Sequence, residues 1–516
     1  MIPRFDVSIS MGGRRTGIAQ STTNEPPLRE NVNSGADTAP LPAPLRAVGR
    51  VPPPVCARGG VTQRPGVRSE RDARAGKCGL REGGSTRQET DRLAVAGEAC
   101  LRGGMISVNE AVAEMLARVA VLPTERKRLR EVPGRVLRQS IAADRDGPPF
   151  DRATLDGVCL RHADWAAGQR EFPVAGLQAA GAVPEPAPPE GACLEIMTGA
   201  PVPAPCDCVL PVEDFSRDGD RIIARPDAEL SPGQGIHRRG SDFKAGDVLL
   251  EPGRRMTGRE MAVAASVGCG ELEVSVVPKI AIVTTGDELV DVEDEPKPHQ
   301  IRRSNDVALR TFLHGAGFGD IELNHLPDNE QAISWNCERL LQQFDVILLT
   351  GGASKGRFDF VPAVLRELGV QPVFHGVAQR PGKPLFFGTF ERPGDFLHPE
   401  YTRVVAVFAL PGNPVSGFTC AHRYVLPAVE KMAGITVAPP AETAVLTGTI
   451  PAHPDLTLFV PVCLSAGDDG RLAAQPNPFN TSGDFASVAR TDGFVEIPPG
   501  AATLEAGAVV PLFRWR

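Results

Sequence analysis

The segment VILLTGGASKGRFDF, residues 346–360, runs from an apolar stretch into two glycines and then to a single carboxylate, Asp359. A short apolar run that ends in glycine is typical of a strand buried within a sheet. Gly351 and Gly352 leave the following main chain bare, so that an anionic group such as a phosphate can approach its N–H groups. The segment therefore predicts a buried strand followed by an anion-binding loop.

The chain around this segment, residues 278–434, alternates strand patterns with helix patterns. The runs KIAIVTTG, DIELNHLPD and VVAVFALPGNP resemble strands, and a helical period aligns Ile333, Cys337 and Leu340. A further helix is expected from Val415 to Met432. This alternation predicts a doubly wound parallel sheet, in which ligands bind beyond the carboxyl ends of the strands.

The regions on either side carry different patterns. The stretch MISVNEAVAEMLARV, which begins at Met105, predicts an amphipathic helix with Ser107 as its N-cap. Residues 150–237 are punctuated by proline and glycine between short strand-like runs, so we expect a small β-rich domain there. A helix is predicted at about 257–267, and residues 435–516 predict a small β-barrel or sandwich.

Residues 1–104 differ from the rest of the chain because they are rich in Arg, Gly, Pro, Ser and Thr and show no periodicity. Such a segment cannot bury enough apolar surface to offset its ordering entropy. We expect it to be a disordered tail or a spurious upstream extension. A transit peptide is the alternative, although the many acidic residues weaken it.

Composition excludes several classes of protein. A chain of 516 residues predicts three or four domains, and its net charge of −8 argues against nucleic acid as a general partner. We find neither a long apolar span nor a signal peptide, which favours the cytoplasm over a membrane. The eleven scattered cysteines suit reduced thiols, and Cys206 and Cys208 lack a second pair with which to hold a metal.

Acidic and polar side chains follow the predicted strands, and they are Asp287, Glu288, Asp328, Asp359 and Asn413. Carboxylates beside a phosphate loop repel the ligand unless a hard cation such as Mg²⁺ lies between them. The sequence thus favours a site for a cation and a phosphate at the carboxyl ends of the predicted strands. The alternatives are that Asp328 and Asp359 are helix N-caps, that Asp287 and Glu288 begin a helix, and that PGNP is only a rigid turn.

The run QRPGKPLFFG places Arg380 and Lys383 on either side of a Pro-Gly turn that leads into a strand. These cations could clamp a phosphate opposite the acidic loops. The alternative is a solvated basic turn without a ligand.

Eight motifs in a fixed order resemble the MoeA/gephyrin family of molybdopterin molybdenumtransferases, and the resemblance covers residues 105–516. The motifs are PFDRATLDGV, IMTGAPVP, HRRGSDFKAG, TTGDEL, TGGASKGRFDF, RPGKP, LPGNPVS and SGDFASVARTDGFVEIP. The resemblance implies a first domain built from 105–149 and 238–277, with a second domain inserted at 150–237. It also implies a molybdopterin-binding α/β domain at 278–434 and a C-terminal β-barrel at 435–516.

The activity implied by the resemblance is the insertion of molybdate into adenylylated molybdopterin, with release of AMP and with Mg²⁺ as the divalent metal. The resemblance further implies a homodimer and a pathway partner, molybdopterin adenylyltransferase. Tungstate is an alternative oxyanion.

The resemblance also implies site residues. Those with a catalytic role would be Asp156, Thr198, Glu288, Asp328, Asp359 and Lys383, of which Glu288 and Asp359 would hold the metal. Those that bind substrate would be Asp242, Gly351, Gly352, Ser354, Arg380, Pro411, Asn413 and Pro414.

The chain departs from the family pattern at several of these motifs. Leu155 and Val158 replace the usual Met and Tyr around Asp156, Arg380 replaces a Lys, and Gly376 stands where some relatives carry another Lys. Two other functions are alternatives, the first because it uses a similar α/β domain and the second because of the altered LDGV loop. The first is a molybdopterin adenylyltransferase, against which the additional domains argue, and the second is a non-enzymatic pterin-binding or scaffolding protein.

Overall fold

A computed structural model describes residues 105–352, 360–393, 402–437, 441–467, 469–477, 480–500 and 502–515. The predicted leader 1–104 and the site residues Ser354 and Asp359 lie outside the described residues. Across the part that is described, no helix is long and apolar enough to cross a membrane.

The helices and strands are numbered here in chain order. The helices are α1 Val108–Arg118, α2 His162–Ala166, α3 Gly258–Ser266, α4 Asn305–Gly315, α5 Glu330–Gln343, α6 Val361–Glu367, α7 Pro414–Cys420, α8 Leu426–Met432 and α9 Phe485–Val488. The first strands are β1 Thr124–Arg128, β2 Ile141–Ala142, β3 Arg152–Ala153, β4 Gly157–Leu160, β5 Glu171–Gln178, β6 Cys193–Ile196, β7 Cys208–Pro211, β8 Phe215–Asp218, β9 Arg221–Ala224, β10 Ile236–His237, β11 Val248–Leu250 and β12 Glu271–Ser275. The later strands are β13 Ile280–Thr285, β14 Leu289–Val290, β15 Ile301–Arg302, β16 Ile321–Leu326, β17 Val346–Thr350, β18 Gln371–His375, β19 Gln379–Arg380, β20 Phe386–Arg392, β21 Arg403–Leu410, β22 Glu442–Leu446, β23 Thr457–Ala466, β24 Leu472–Pro476, β25 Gly493–Ile497 and β26 Val509–Arg514.

The central sheet has the strand order β16-β13-β17-β21-β20-β18. The first four strands are parallel, as predicted, whereas β20 and β18 run antiparallel to their neighbours. Along β13, Ile280 and Ile282 join one apolar core, and Ala281 and Val283 join another on the opposite face. Helix α4 packs on the first face and helices α5 and α6 on the second, so the sheet is covered on both sides.

The helix that precedes this sheet begins as predicted. The Ser107 hydroxyl accepts a hydrogen bond from the Glu110 N–H, and the Glu110 carboxylate accepts one from the Ser107 N–H, which together form a capping box. Strand β1 pairs with β12 and strand β2 with β11, so segments from before and after the inserted region lie side by side. The predicted domain boundaries themselves stay predictions.

The two β-rich regions have different sheets. The region predicted at 150–237 contains a six-stranded sheet in the order β7-β4-β6-β5-β9-β8. Near the C-terminus, strands β23, β24, β22, β26 and β25 pair in sequence, and β25 pairs again with β23. This last pairing closes a five-stranded barrel, which confirms the predicted C-terminal barrel.

One predicted helix differs from the structure. The continuous helix expected from Val415 to Met432 is α7, a π-helical segment at Ala421–Val425, and α8 in succession. The π turn changes the direction in which the following side chains point, and such turns often occur at functional sites. Tyr424, which lies in this turn, is fully buried.

Candidate functional site

The carboxyl ends of four neighbouring parallel strands meet at one edge of the central sheet. In the order β16, β13, β17 and β21, these strands are followed by the segments PDNE, GDE, GG and PGNP. The sequence predicts all four segments at a single edge of the sheet, and the strand order confirms this.

A cavity of about 420 Å³ opens at this edge. The predicted site residues that line it are Glu288, Gly351, Gly352, Pro411, Asn413 and Pro414. Arg380 and Lys383 are exposed and, with Asp328, are not among its lining residues. The ends of β13 and β17, the Glu288 carboxylate and side chains from the start of α4, including Arg303 and Asn305, thus line the cavity.

The Gly351-Gly352 loop requires glycine for two reasons. Both residues have positive φ angles, +96° and +62°. A Cβ atom added to Gly351 would lie only 2.6 Å from the carbonyl oxygen of Thr285 and 2.7 Å from its hydroxyl. A side chain at Gly351 would therefore collide with the end of β13.

Three carboxylates lie near one another beside this cavity. The backbone N–H of Asp328 donates to the Asp287 carboxylate at 3.2 Å. Burial, followed by the charges of Glu288 and Asp287, raises the pKa of Asp328 above its ordinary value. Ionisation of Asp328 therefore carries an electrostatic cost in the ligand-free protein.

The structure overturns two of the alternative interpretations of these acids. The N-cap of helix α5 is Asn329, whose side-chain oxygen accepts from the Ala332 N–H at 3.0 Å, so Asp328 does not cap this helix. Asp287 and Glu288 are followed by strand β14 and not by a helix. The N-cap interpretation of Asp359 falls outside the described residues.

The fit of a metal ion depends on the available donor atoms. The described residues contain no group of three or more His, Cys, Asp or Glu placed to hold one. Glu288 and Asp328 supply oxygen donors, and Mg²⁺ is commonly held by one or two carboxylates together with substrate phosphates. The donor chemistry therefore suits Mg²⁺ bound jointly with a phosphate-bearing ligand.

Sequence reasoning missed the residues at the start of helix α4. The Asn305 side chain donates to the Gly412 carbonyl at 2.8 Å and to the Thr350 hydroxyl at 3.2 Å, joining the ends of two strands. Arg303 pairs with Asp291 at 3.0 Å and also lines the cavity. The sequence signal that could have identified these residues is the polar start of this helix, which lies next to the sheet edge.

The basic turn at Arg380 is held from beneath by a buried hydrogen-bond network. The Gln379 side chain, which is almost completely buried, donates to the Gly382 carbonyl at 3.0 Å. It also accepts a hydrogen bond from the hydroxyl of Tyr424 in the π-helical segment. The turn that carries Arg380 and Lys383 is thus fixed by core residues.

The predicted residues of the inserted region belong to a separate cluster. Asp156 accepts hydrogen bonds from the backbone N–H of Thr198 at 2.7 Å and from its hydroxyl at 3.0 Å. These bonds lower the pKa of Asp156. Asp242, which follows the inserted region, contacts His237 at 2.8 Å. None of these residues is among the described residues that line the cavity, and Asp156 and Val158 instead line a hollow of about 440 Å³ in their own region.

Comparisons with known proteins cover nearly all of the described chain. Residues 106–268 match the model of the "MoeA N-terminal region (domain I and II)". Residues 281–431 match a "Probable molybdopterin binding domain", and residues 443–515 match the "MoeA C-terminal region (domain IV)".

Curated relatives and a solved structure agree with these models. The chain is 37% identical over 382 residues to a molybdopterin molybdenumtransferase of Synechocystis sp., covering 74% of this chain and 93% of the relative. It is 30% identical to the Bacillus subtilis protein of the same name, covering 80% and 94% of the two chains. The structure of a molybdopterin biosynthesis MoeA protein from Pyrococcus horikoshii matches with a TM-score of 0.65 at 28% identity, covering 80% of this chain and all of the other. The chain therefore belongs to the MoeA family of molybdopterin molybdenumtransferases.

Proposed function

We propose that this protein inserts molybdate into adenylylated molybdopterin and releases AMP, as an enzyme of molybdenum cofactor biosynthesis. The observation that carries the proposal is the cavity at the carboxyl edge of the central sheet. It combines bare backbone at Gly351 and Gly352 with the carboxylate of Glu288. This combination suits a phosphate-bearing ligand that arrives with a cation.

The proposed mechanism rests on positioning and electrostatics. Mg²⁺, when bound, would neutralise the phosphate charge. Glu288 and Asp328, with Asp359 beyond the described residues, would hold the cation in place. The backbone at Gly351 and Gly352 would orient the substrate, and Pro411, Asn413 and Pro414 would shape the adjacent part of the cavity. Fixing the two reactants next to each other in this way lowers the barrier without a covalent nucleophile.

We assign the remaining predicted residues to binding of the same substrates. Arg380 and Lys383 would hold oxyanions from the turn that Gln379 fixes, since a guanidinium can grip an oxyanion with two parallel hydrogen bonds. We propose that Ser354 and Asp242 also bind these substrates.

We further propose that the protein is a homodimer. The cluster of Asp156 and Thr198 in one subunit would meet the cavity of the other subunit across the two-fold axis. Asp156 and Thr198 bond to each other in the inserted sheet, whereas the cavity is lined from the central sheet. Each complete site would then combine the inserted region of one subunit with the α/β region of the other, and one dimer would hold two sites. The four-domain division, a cytoplasmic location and molybdopterin adenylyltransferase as pathway partner belong to this proposal.

Reconstitution tests the activity directly. Purified protein, adenylylated molybdopterin, Mg²⁺ and molybdate should together yield a cofactor that activates an apo-molybdoenzyme and should release AMP. The reaction without this protein and the reaction without Mg²⁺ are the controls. Failure of the complete mixture, with a known molybdenumtransferase active in parallel, would contradict the proposed function.

Subunit mixing tests the shared site. Asp156→Ala and Glu288→Ala should each be inactive as homodimers. If each site draws on both subunits, a mixed dimer carries one doubly altered site and one intact site. Random mixing makes about half of the dimers mixed, so roughly a quarter of the parent activity should return. Verified mixed dimers that stay inactive would show that each site is built within one chain.

A further inference from the structure

The hydroxyl of Thr285 has no hydrogen-bond partner among the described residues, although it is buried. Thr285 is the last residue of strand β13 and is 4% exposed. Buried polar atoms are nearly always hydrogen-bonded, because an unpaired one has lost its water without a replacement. This exception stands beside the cavity and calls for an explanation.

Neighbouring threonines show that the local structure can satisfy such a group. The Thr284 hydroxyl contacts the Asn324 carbonyl at 3.4 Å and the His325 ring at 3.3 Å. The Thr350 hydroxyl, at the end of the next strand, accepts from the Asn305 side chain at 3.2 Å. Both residues are as buried as Thr285. Among these three threonines, only Thr285 therefore has a hydroxyl without a hydrogen-bond partner.

Strand propensity does not account for a threonine at this position. Valine has the same branched shape and an equal preference for strands, and it would bury a methyl group in place of the hydroxyl. In the ligand-free protein, valine at position 285 would avoid the desolvation cost. A hydroxyl that is costly in the empty protein is explained if a ligand pairs with it.

The surroundings of Thr285 indicate the kind of ligand. The residue lines the cavity together with Glu288. Its hydroxyl would lie 2.7 Å from a Cβ on Gly351 and 3.5 Å from one on Gly352, so it is situated directly against the bare loop. A ligand oxyanion held by this loop would come within reach of an O–H donor from β13.

We propose that Thr285 is a substrate-contacting residue, whose hydroxyl donates a hydrogen bond to an oxyanion of the substrate seated on the Gly351-Gly352 loop. This inference rests on the proposed function. The oxyanion is either the phosphate of the nucleotide-bearing pterin or molybdate itself, and both present negatively charged oxygen to the donor.

The test compares Thr285→Val, Thr285→Ser and the matched variant Thr284→Val. Without ligand, Thr285→Val should melt at or above the temperature of the parent, whereas Thr284→Val should melt lower, since it loses two hydrogen-bond contacts. Calorimetric titration with AMP plus Mg²⁺ and with molybdate then measures the oxyanion contact. Thr285→Val should bind at least one probe about tenfold more weakly, and Thr285→Ser should restore that affinity.

The outcomes separate this inference from the proposed function. Weaker binding of AMP assigns the hydroxyl to the phosphate, and weaker binding of molybdate assigns it to the metal oxyanion. If the parent transfers molybdate and Thr285→Val matches it in both affinities and in apparent KM, the Thr285 contact is refuted and the function stands. If the parent fails to transfer molybdate but Thr285→Val still weakens binding, the function is refuted and the contact stands. A parent that neither binds nor transfers refutes both.

Discussion

Carboxylates have opposite surroundings at the two ends of the parallel strands of the central sheet, at Asp345 before β17 and at Asp328 after β16. At the amino end, Asp345 is buried and compensated. It lies 3.0 Å from the Arg392 guanidinium and 3.4 Å from that of Arg403, and it accepts a hydrogen bond from the Lys279 backbone N–H at 3.0 Å. At the carboxyl end, Asp328 lies near two further acids that add to the effect of burial and raise its pKa.

This difference distinguishes acids that stabilise the fold from acids whose charge would be offset only by a bound ligand. A buried carboxylate surrounded by cations lowers the free energy of the folded protein relative to the same carboxylate left unpaired. A carboxylate near others of the same charge raises it, and such an arrangement is retained where function requires it. We therefore expect substitutions at the amino end to reduce stability, and substitutions at the carboxyl end to reduce activity.

The largest expected effect on stability is that of Asp345→Asn. Arg392 and Arg403 would lose the carboxylate that both contact, and breaking a buried ion pair costs about 3 to 5 kcal/mol. Urea unfolding followed by circular dichroism measures the loss. The exposed Asp294→Asn is the matched control and should change the free energy of unfolding by less than about 0.5 kcal/mol. If Asp345→Asn unfolds at the same urea concentration as the parent, the contrast between the amino and carboxyl ends of the strands is removed.

An intermediate effect is expected from Tyr424→Phe, which tests how the core supports the basic turn. The change removes the donor to the buried Gln379 side chain and should cost about 1 to 3 kcal/mol. If this network positions Arg380 and Lys383, the variant should also raise the apparent KM for substrate. Unchanged KM with reduced stability would show that the network serves the fold alone.

The sequence predicted the sheet edge because its signals are local. Each parallel strand is followed by glycine or proline, as at Gly351 and Pro411, and all but β16 are largely apolar. The antiparallel pair β18 and β20 was not predicted, because no helix separates these strands and the alternation of strands with helices is interrupted there. The π turn at Ala421–Val425 was missed as well, since no proline or glycine within it marks an interruption.

The sequence places some residues at the sheet edge and leaves others unrecognised, for the same reason. Glu288 and Asn413 follow directly after strand ends, so their place at the edge can be read from the chain. Asn305 is identified by its hydrogen bond to Gly412, which is distant in sequence. Thr285 is identified by the lack of a partner for its hydroxyl. A threonine within a strand is indistinguishable from an ordinary strand residue until the partners of its hydroxyl are known.

The smallest expected effect is that of Asp328→Asn on stability, and it should depend on pH. The folded-state pKa of Asp328 is raised, so the folded protein binds this proton more tightly than the unfolded chain does. The destabilisation from ionised Asp328 therefore develops between the ordinary and the raised pKa and is complete above the raised pKa. Asp328→Asn should be slightly more stable than the parent at neutral pH, by less than about 1 kcal/mol because the group is partly exposed.

The gain from Asp328→Asn should vanish as the pH falls below the ordinary pKa of an aspartate, where the carboxyl is protonated in both states. Unfolding curves across the acid range test this dependence. A variant that is less stable than the parent at neutral pH would mean that Asp328 supports the fold.

The measurement that tests the central claim most directly is the paired thermal melting and reconstitution activity of Glu288→Gln. This variant keeps the size of the side chain and removes the charge that lines the cavity. We expect a melting temperature equal to or above that of the parent, together with a loss of molybdate transfer of at least about a hundredfold. A variant that melts several degrees lower but transfers molybdate at the parent rate would contradict the account, because Glu288 would then belong with Asp345 among the acids that hold the fold.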